Sequence, residues 1–97
     1  MTTEQVPLTR RLRRAFVEIH EVIESPHGRF LTVFVPRWRA HEAIVIPEAL
    51  IPDGIRTRLR KGMILIASIN TEAERSDDLL FEGFELTPDE DLDREPA

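Results

Sequence analysis

Short apolar segments separated by turn residues run along the chain, and five of them have the length and composition of β-strands. The first covers residues 15–24 and is rich in β-branched side chains, with Val17, Ile19, Val22 and Ile23. Ser25-Pro26-His27-Gly28 follows as a tight turn, in which proline presets φ and glycine admits a positive one. Residues 29–35 then alternate Phe30, Thr32 and Phe34 against Leu31, Val33 and Val35, the period of a half-buried strand, and Pro36 ends the run. A third strand is expected at residues 42–46, ending at Pro47, a fourth at 63–70 and a fifth at 79–86. The stretch between the third and fourth is rich in turn signals, among them Pro52-Asp53-Gly54, with one helical turn near residues 48–51.

The first segment admits a second reading. Leu8, Leu12, Ala15, Phe16, Ile19, Val22 and Ile23 also recur at helical spacing, and Pro7 suits a first helical position, so a helix over 7–24 competes with the strand. The β-branched content and the hairpin-like Ser-Pro-His-Gly turn favour the strand, with room for a short helix at residues 9–14 ahead of it. The pattern is that of an all-β fold, a small barrel or sandwich. Five strands with an irregular connection between the third and fourth resemble the order of a Greek-key barrel of OB type, which is the fold expected. The chain divides into a basic arm at 1–14, the barrel at 15–86 and an acidic tail at 87–97, where almost nothing can be buried and disorder is expected.

Charge changes this picture by dividing it. Before Gly62 there are eleven basic and seven acidic residues; from Gly62 onward there are two basic and eleven acidic ones. The net charge of -5 is thus about +4 in the first part and about -9 in the second. An arginine-rich front section on an acidic protein suggests a surface that grips phosphate or carboxylate, joined to a segment that limits it.

Several chemistries find no residues here. With no cysteine there is neither a disulfide framework nor a thiolate metal site, which fits a cytoplasmic setting. The longest apolar run, residues 63–67, is far shorter than the ~20 residues that span a bilayer. The arginines at 10–14 are followed by Glu18, His20, Glu21 and Glu24, which break the apolar stretch an export signal needs. His20, His27 and His41 are isolated, without the spacing of a zinc site, and the acids at 72–78 lack the order of a calcium loop. No nucleophile motif surrounds Ser25, Ser68 or Ser76. A non-enzymatic protein without cofactor or metal is expected.

The segment Asp53-Gly54-Ile55-Arg56-Thr57-Arg58-Leu59-Arg60-Lys61-Gly62, leading into an apolar strand, resembles the loop before the fourth strand of the cold-shock domain. Gly28-Arg29-Phe30-Leu31-Thr32-Val33 is similar to that family's second-strand motif in its first glycine and one aromatic, with Thr32 in place of the second. The third-strand counterpart, Ala43-Ile44-Val45-Ile46-Pro47, carries no aromatic, and the family's first-strand Lys-Trp-Phe is absent. The resemblance implies an OB-type RNA-binding barrel.

Three groups of residues are candidates for such binding. Phe30, Thr32 and Phe34 share one strand face; if the aliphatic set points inward they form an outer stacking platform, and if the faces are reversed they are core. Arg29 leads into them. Arg37-Trp38-Arg39 sets the chain's one tryptophan between two cations, either as a ligand loop or as an indole plugging a barrel end. Arg56, Arg58, Arg60 and Lys61 are spaced to line up along an extended connection, as a phosphate-contacting edge or a solvated loop.

The leading expectation is a module for single-stranded nucleic acid, RNA ahead of DNA. A protein-interaction or structural barrel is the alternative. A further one is a swapped-hairpin dimeric DNA-binding regulator, suggested by Ile44-Val45-Ile46-Pro47-Glu48-Ala49-Leu50 and the later Lys61-Gly62-Met63-Ile64-Leu65-Ile66. Neither a membrane nor a small-molecule substrate is indicated.

Overall fold

A computed structural model describes residues 10–88 together with Leu92 and Glu95. Five strands lie in these residues: β1 (Arg13–Ser25), β2 (Gly28–Val35), β3 (Arg39–Pro47), β4 (Ile64–Ile69) and β5 (Phe81–Leu86). Single 3₁₀ turns occupy Glu48–Leu50 and Ser76–Asp78, and α1 is the four-residue Asp53–Arg56. The strands form one antiparallel sheet in the order β3-β2-β1-β4-β5.

β1 forms as the β-branched content predicts, and the helix over 7–24 is not formed in its described part. The reason lies in the pairing. The first half of β1 bonds to β4, from Arg13 opposite Ile69 to Glu18 opposite Ile64, and its second half bonds to β2 as far as Ser25 opposite Gly28. Arg13 and Arg14, expected in the basic arm, therefore open this strand. Of the short helix allowed at 9–14, Arg10 carries a 3₁₀ turn and Arg13 is already strand.

The β1–β2 hairpin turns through Pro26-His27, and Gly28 closes it at φ 127°, a value that costs a side chain dearly. Ser25 Oγ donates to the Gly28 carbonyl at 3.0 Å and accepts from the His27 N–H at 3.2 Å. A bulge interrupts β1 between Ile19 and Glu21. It shifts sidedness: Ala15, Val17 and Ile19 point into the core before it, and Val22 packs against the core after it.

One face of the sheet is sealed. Ala15, Val17, Ile19, Leu31, Val33, Val35, Leu65, Ala67 and Ile69 have no exposed surface. Among the described residues only short turns and α1 lie over that face, so the strands must curve around their own core. Ile51 and Ile55 are buried with it, and Leu59, Met63 and Trp38 pack against it. The connection between β4 and β5 is latched by Asn70, which is 1% exposed. Its side chain donates to the Asp78 carbonyl at 2.8 Å and accepts from the Leu80 N–H at 2.6 Å.

The sheet does not close. Its margins, β3 and β5, are not paired with each other among the described residues. The 44–50 and 61–66 stretches also remain apart, since β3 pairs with β2 while β4 pairs with β1 and β5. The disorder expected of 87–97 falls mostly outside the described residues. Glu95, one of those described, meets Arg37 at 2.6 Å.

Candidate functional site

The aliphatic residues of β2 are the buried set, so Phe30, Thr32 and Phe34 face outward, each half-buried. The register extends this face across neighbouring strands. Phe34 lies opposite Glu18, which lies opposite Ile64; Phe16 lies opposite Ile66; Thr32 lies opposite Val45. Phe16, Ile64 and Ile66 are likewise half-buried, and Val45 is 62% exposed. Three phenylalanines and several aliphatic side chains thus lie on the outer surface of the sheet. His20, displaced by the bulge, stands edge-on to Phe34 with ring centroids 5.0 Å apart.

Phe16 carries no sequence motif. Its place follows from the alternation of β1 once residues 15, 17 and 19 are known to be inside. Thr32 has its hydroxyl shielded: Oγ1 is buried and finds no hydrogen-bond partner among the described residues.

The seven basic candidates divide sharply. Arg29 and Arg56 are spent on Glu48, whose side chain is only 12% exposed. Arg29 Nε stands 2.9 Å from Glu48 Oε2, but its N–H direction makes this a charge contact and not a hydrogen bond. Arg56 also reaches Asp53 at 3.0 Å and donates twice to the Ile51 carbonyl, at 3.2 and 2.8 Å. Burying a carboxylate is costly unless cations compensate it, so these two arginines are structural.

The Arg37-Trp38-Arg39 loop is folded back. The Trp38 indole N–H donates to the Ala73 carbonyl at 2.7 Å, and the Arg39 guanidinium covers the ring at 4.5 Å from its centroid. Arg39 also holds Glu42 at 2.9 Å and donates to the Glu74 carbonyl. Arg37 donates to the Arg14 carbonyl at 3.1 Å besides pairing with Glu95. Every polar group of this loop that sequence reading offers to a ligand is engaged within the protein.

Arg58, Arg60 and Lys61 differ. All three are exposed, and none makes an ion pair or side-chain hydrogen bond with a described residue. They line a depression of about 770 Å³ together with Met63, Ile64, Leu86, Thr87 and Leu92. Ile64 also belongs to the outer face of β1–β4, so cations and aromatic surface adjoin. The Gly62 N–H bonds the Ile19 carbonyl at 2.7 Å, which fixes this turn beside the bulge and His20. Glu18, exposed and without an ion-pair partner among the described residues, lies between Phe34 and Ile64 in the middle of the surface.

No cluster of metal-ligating side chains occurs among the described residues, and none of their helices is long and apolar enough to cross a membrane. No protein-family profile, curated protein or solved structure matches this chain.

Proposed function

We propose that this chain is a non-enzymatic binding module for single-stranded nucleic acid, RNA ahead of DNA, acting in the cytoplasm. One observation supports the reading above the others: half-exposed Phe16, Phe30 and Phe34 share the outer face with Ile64, beside which Arg58, Arg60 and Lys61 make no ion pair with a described residue. Flat rings offer stacking to any base, and unpaired cations beside them neutralise phosphates, the two terms that dominate single-strand affinity. The strand order is also that of an OB barrel opened between its third and fifth strands, which supports an OB-type and cold-shock-like assignment. The Arg37-Trp38-Arg39 loop supports the scaffold in this reading, and the ligand lies on β1, β2 and the turn before β4.

Fluorescence anisotropy with mixed-sequence single-stranded RNA and DNA at low salt tests it. Phe34→Leu, which keeps bulk but removes the flat ring, should weaken binding by about fivefold to a hundredfold. Removing Arg58 or Arg60 should reduce the slope of log affinity against log salt by about one each. Lack of saturable binding at low salt, with the variants folded by circular dichroism, would refute the proposal.

A further inference from the structure

The sheet's open seam has a definite geometry. Four successive antiparallel pairings make β3 and β5 run in the same direction. Between them lies a cleft of about 600 Å³, lined by Ile44 and Ile46 from one side and by Leu79 and Phe81 from the other. Leu50 and Leu80 stand around it at 44% and 51% exposure, and Val45 borders it from the outer face of β3 at 62%. An antiparallel sheet with an odd number of strands closes only through one parallel pair. A sixth strand running opposite to both margins would bond to each of them and close the ring with antiparallel pairs throughout.

Charge indicates what that strand carries. The charged residues lining the cleft are Asp77 and Glu82, both acidic, with Asp78 next in sequence. Glu82 makes no ion pair with a described residue, and Asp77 has only an exposed contact with Arg75 at 3.3 Å. A polynucleotide would be repelled here. We infer that the β3–β5 seam receives an extended segment of a partner polypeptide, in which apolar side chains alternate with lysine or arginine. Backbone pairing to the two edges that are unpaired among the described residues supplies the affinity, alternate side chains enter the apolar cleft, and the basic set meets Asp77 and Glu82. This surface lies at the sheet margins, shares only Val45 with the outer face described above, and stands whether or not nucleic acid binds on β1 and β2.

The test uses the full chain, labelled with ¹⁵N, and a capped peptide of alternating lysine and valine long enough to span β5. Saturable shifts and slowed amide exchange at residues 43–47 and 79–82 are expected. The same peptide N-methylated on alternate residues should not bind, because it cannot pair. Glu82→Lys should weaken the basic peptide about threefold to fivefold, the scale of one exposed ion pair. Val45→Asp, at a position 62% exposed and with folding checked by circular dichroism, should weaken it further. Absence of saturable shifts, equal binding of a glutamate–valine peptide, or shifts centred on Phe16 and Phe34 would each overturn the inference. So would a dimer in sedimentation that Val45→Asp dissolves, because the seam would then belong to a second copy of the chain.

Discussion

Trp38 donates its indole N–H to the main-chain carbonyl of Ala73 at 2.7 Å, tying the β2–β3 connection to the β4–β5 connection. The two loops come from opposite wings of the sheet, so this bond closes one end of the molecule. Trp38→Phe keeps a ring against the core but leaves the carbonyl without its donor. A loss of about 1–2 kcal/mol is expected, read from the urea midpoint by circular dichroism, with affinity for single-stranded RNA unchanged. Full stability combined with lost RNA binding would assign the indole to the ligand.

Thr32 gives a prediction of opposite sign. Its hydroxyl is buried without a hydrogen-bond partner among the described residues, in a strand position opposite Val45. Thr32→Val exchanges an unpaired polar atom for a methyl of similar size in a setting that favours β-branching. It should stabilise the fold by about 1 kcal/mol, a rise in Tm of about 4–8 °C for a domain of this size. A fall in Tm would mean that the hydroxyl has a partner in solution.

Glu18 sits where a bound phosphate would be repelled, between Phe34 and Ile64. Glu18→Gln should tighten oligonucleotide binding by about twofold to fivefold at low salt, the scale of one exposed charge interaction. The gain should fade as salt screens it. Equal affinity at low salt would place the nucleic acid elsewhere on the protein.

The strands were legible because their signals are local. Alternation divided Leu31, Val33 and Val35 from Phe30 and Phe34 without deciding which set lies inside, which burial of the aliphatic set settles, and Pro36 and the Ser25–Gly28 turn marked boundaries close to the observed ones. The four-residue α1 was read only as turn, since Gly54 lowers helix propensity and so short a helix has no periodicity to detect. The bulge at His20 left no residue signature, and with it went the outward placement of His20 beside Phe34. Distribution of the arginines was the least legible part. Arg29, Arg37, Arg39 and Arg56 resemble Arg58 and Arg60 in sequence, and what separates them is long-range: Glu48 placed between two arginines, and the carbonyls of Arg14 and Glu74 brought to the β2–β3 loop. Composition could count the cations but could not show which were already neutralised.

Because β1 is the described strand that pairs with both the β2–β3 wing and the β4–β5 wing, it also sets the route by which the chain folds. The first three strands follow one another and can assemble from neighbours. Docking β4 on β1 brings together Arg14 and Ser68, 54 positions apart, and is the longest-range of the strand pairings in sequence. That docking is expected to be the slow step of folding, so Ala15→Gly, which weakens the strand where β4 must land, should slow refolding in stopped-flow experiments more than it speeds unfolding. A variant that only accelerates unfolding would mean that the wings come together after the barrier is crossed.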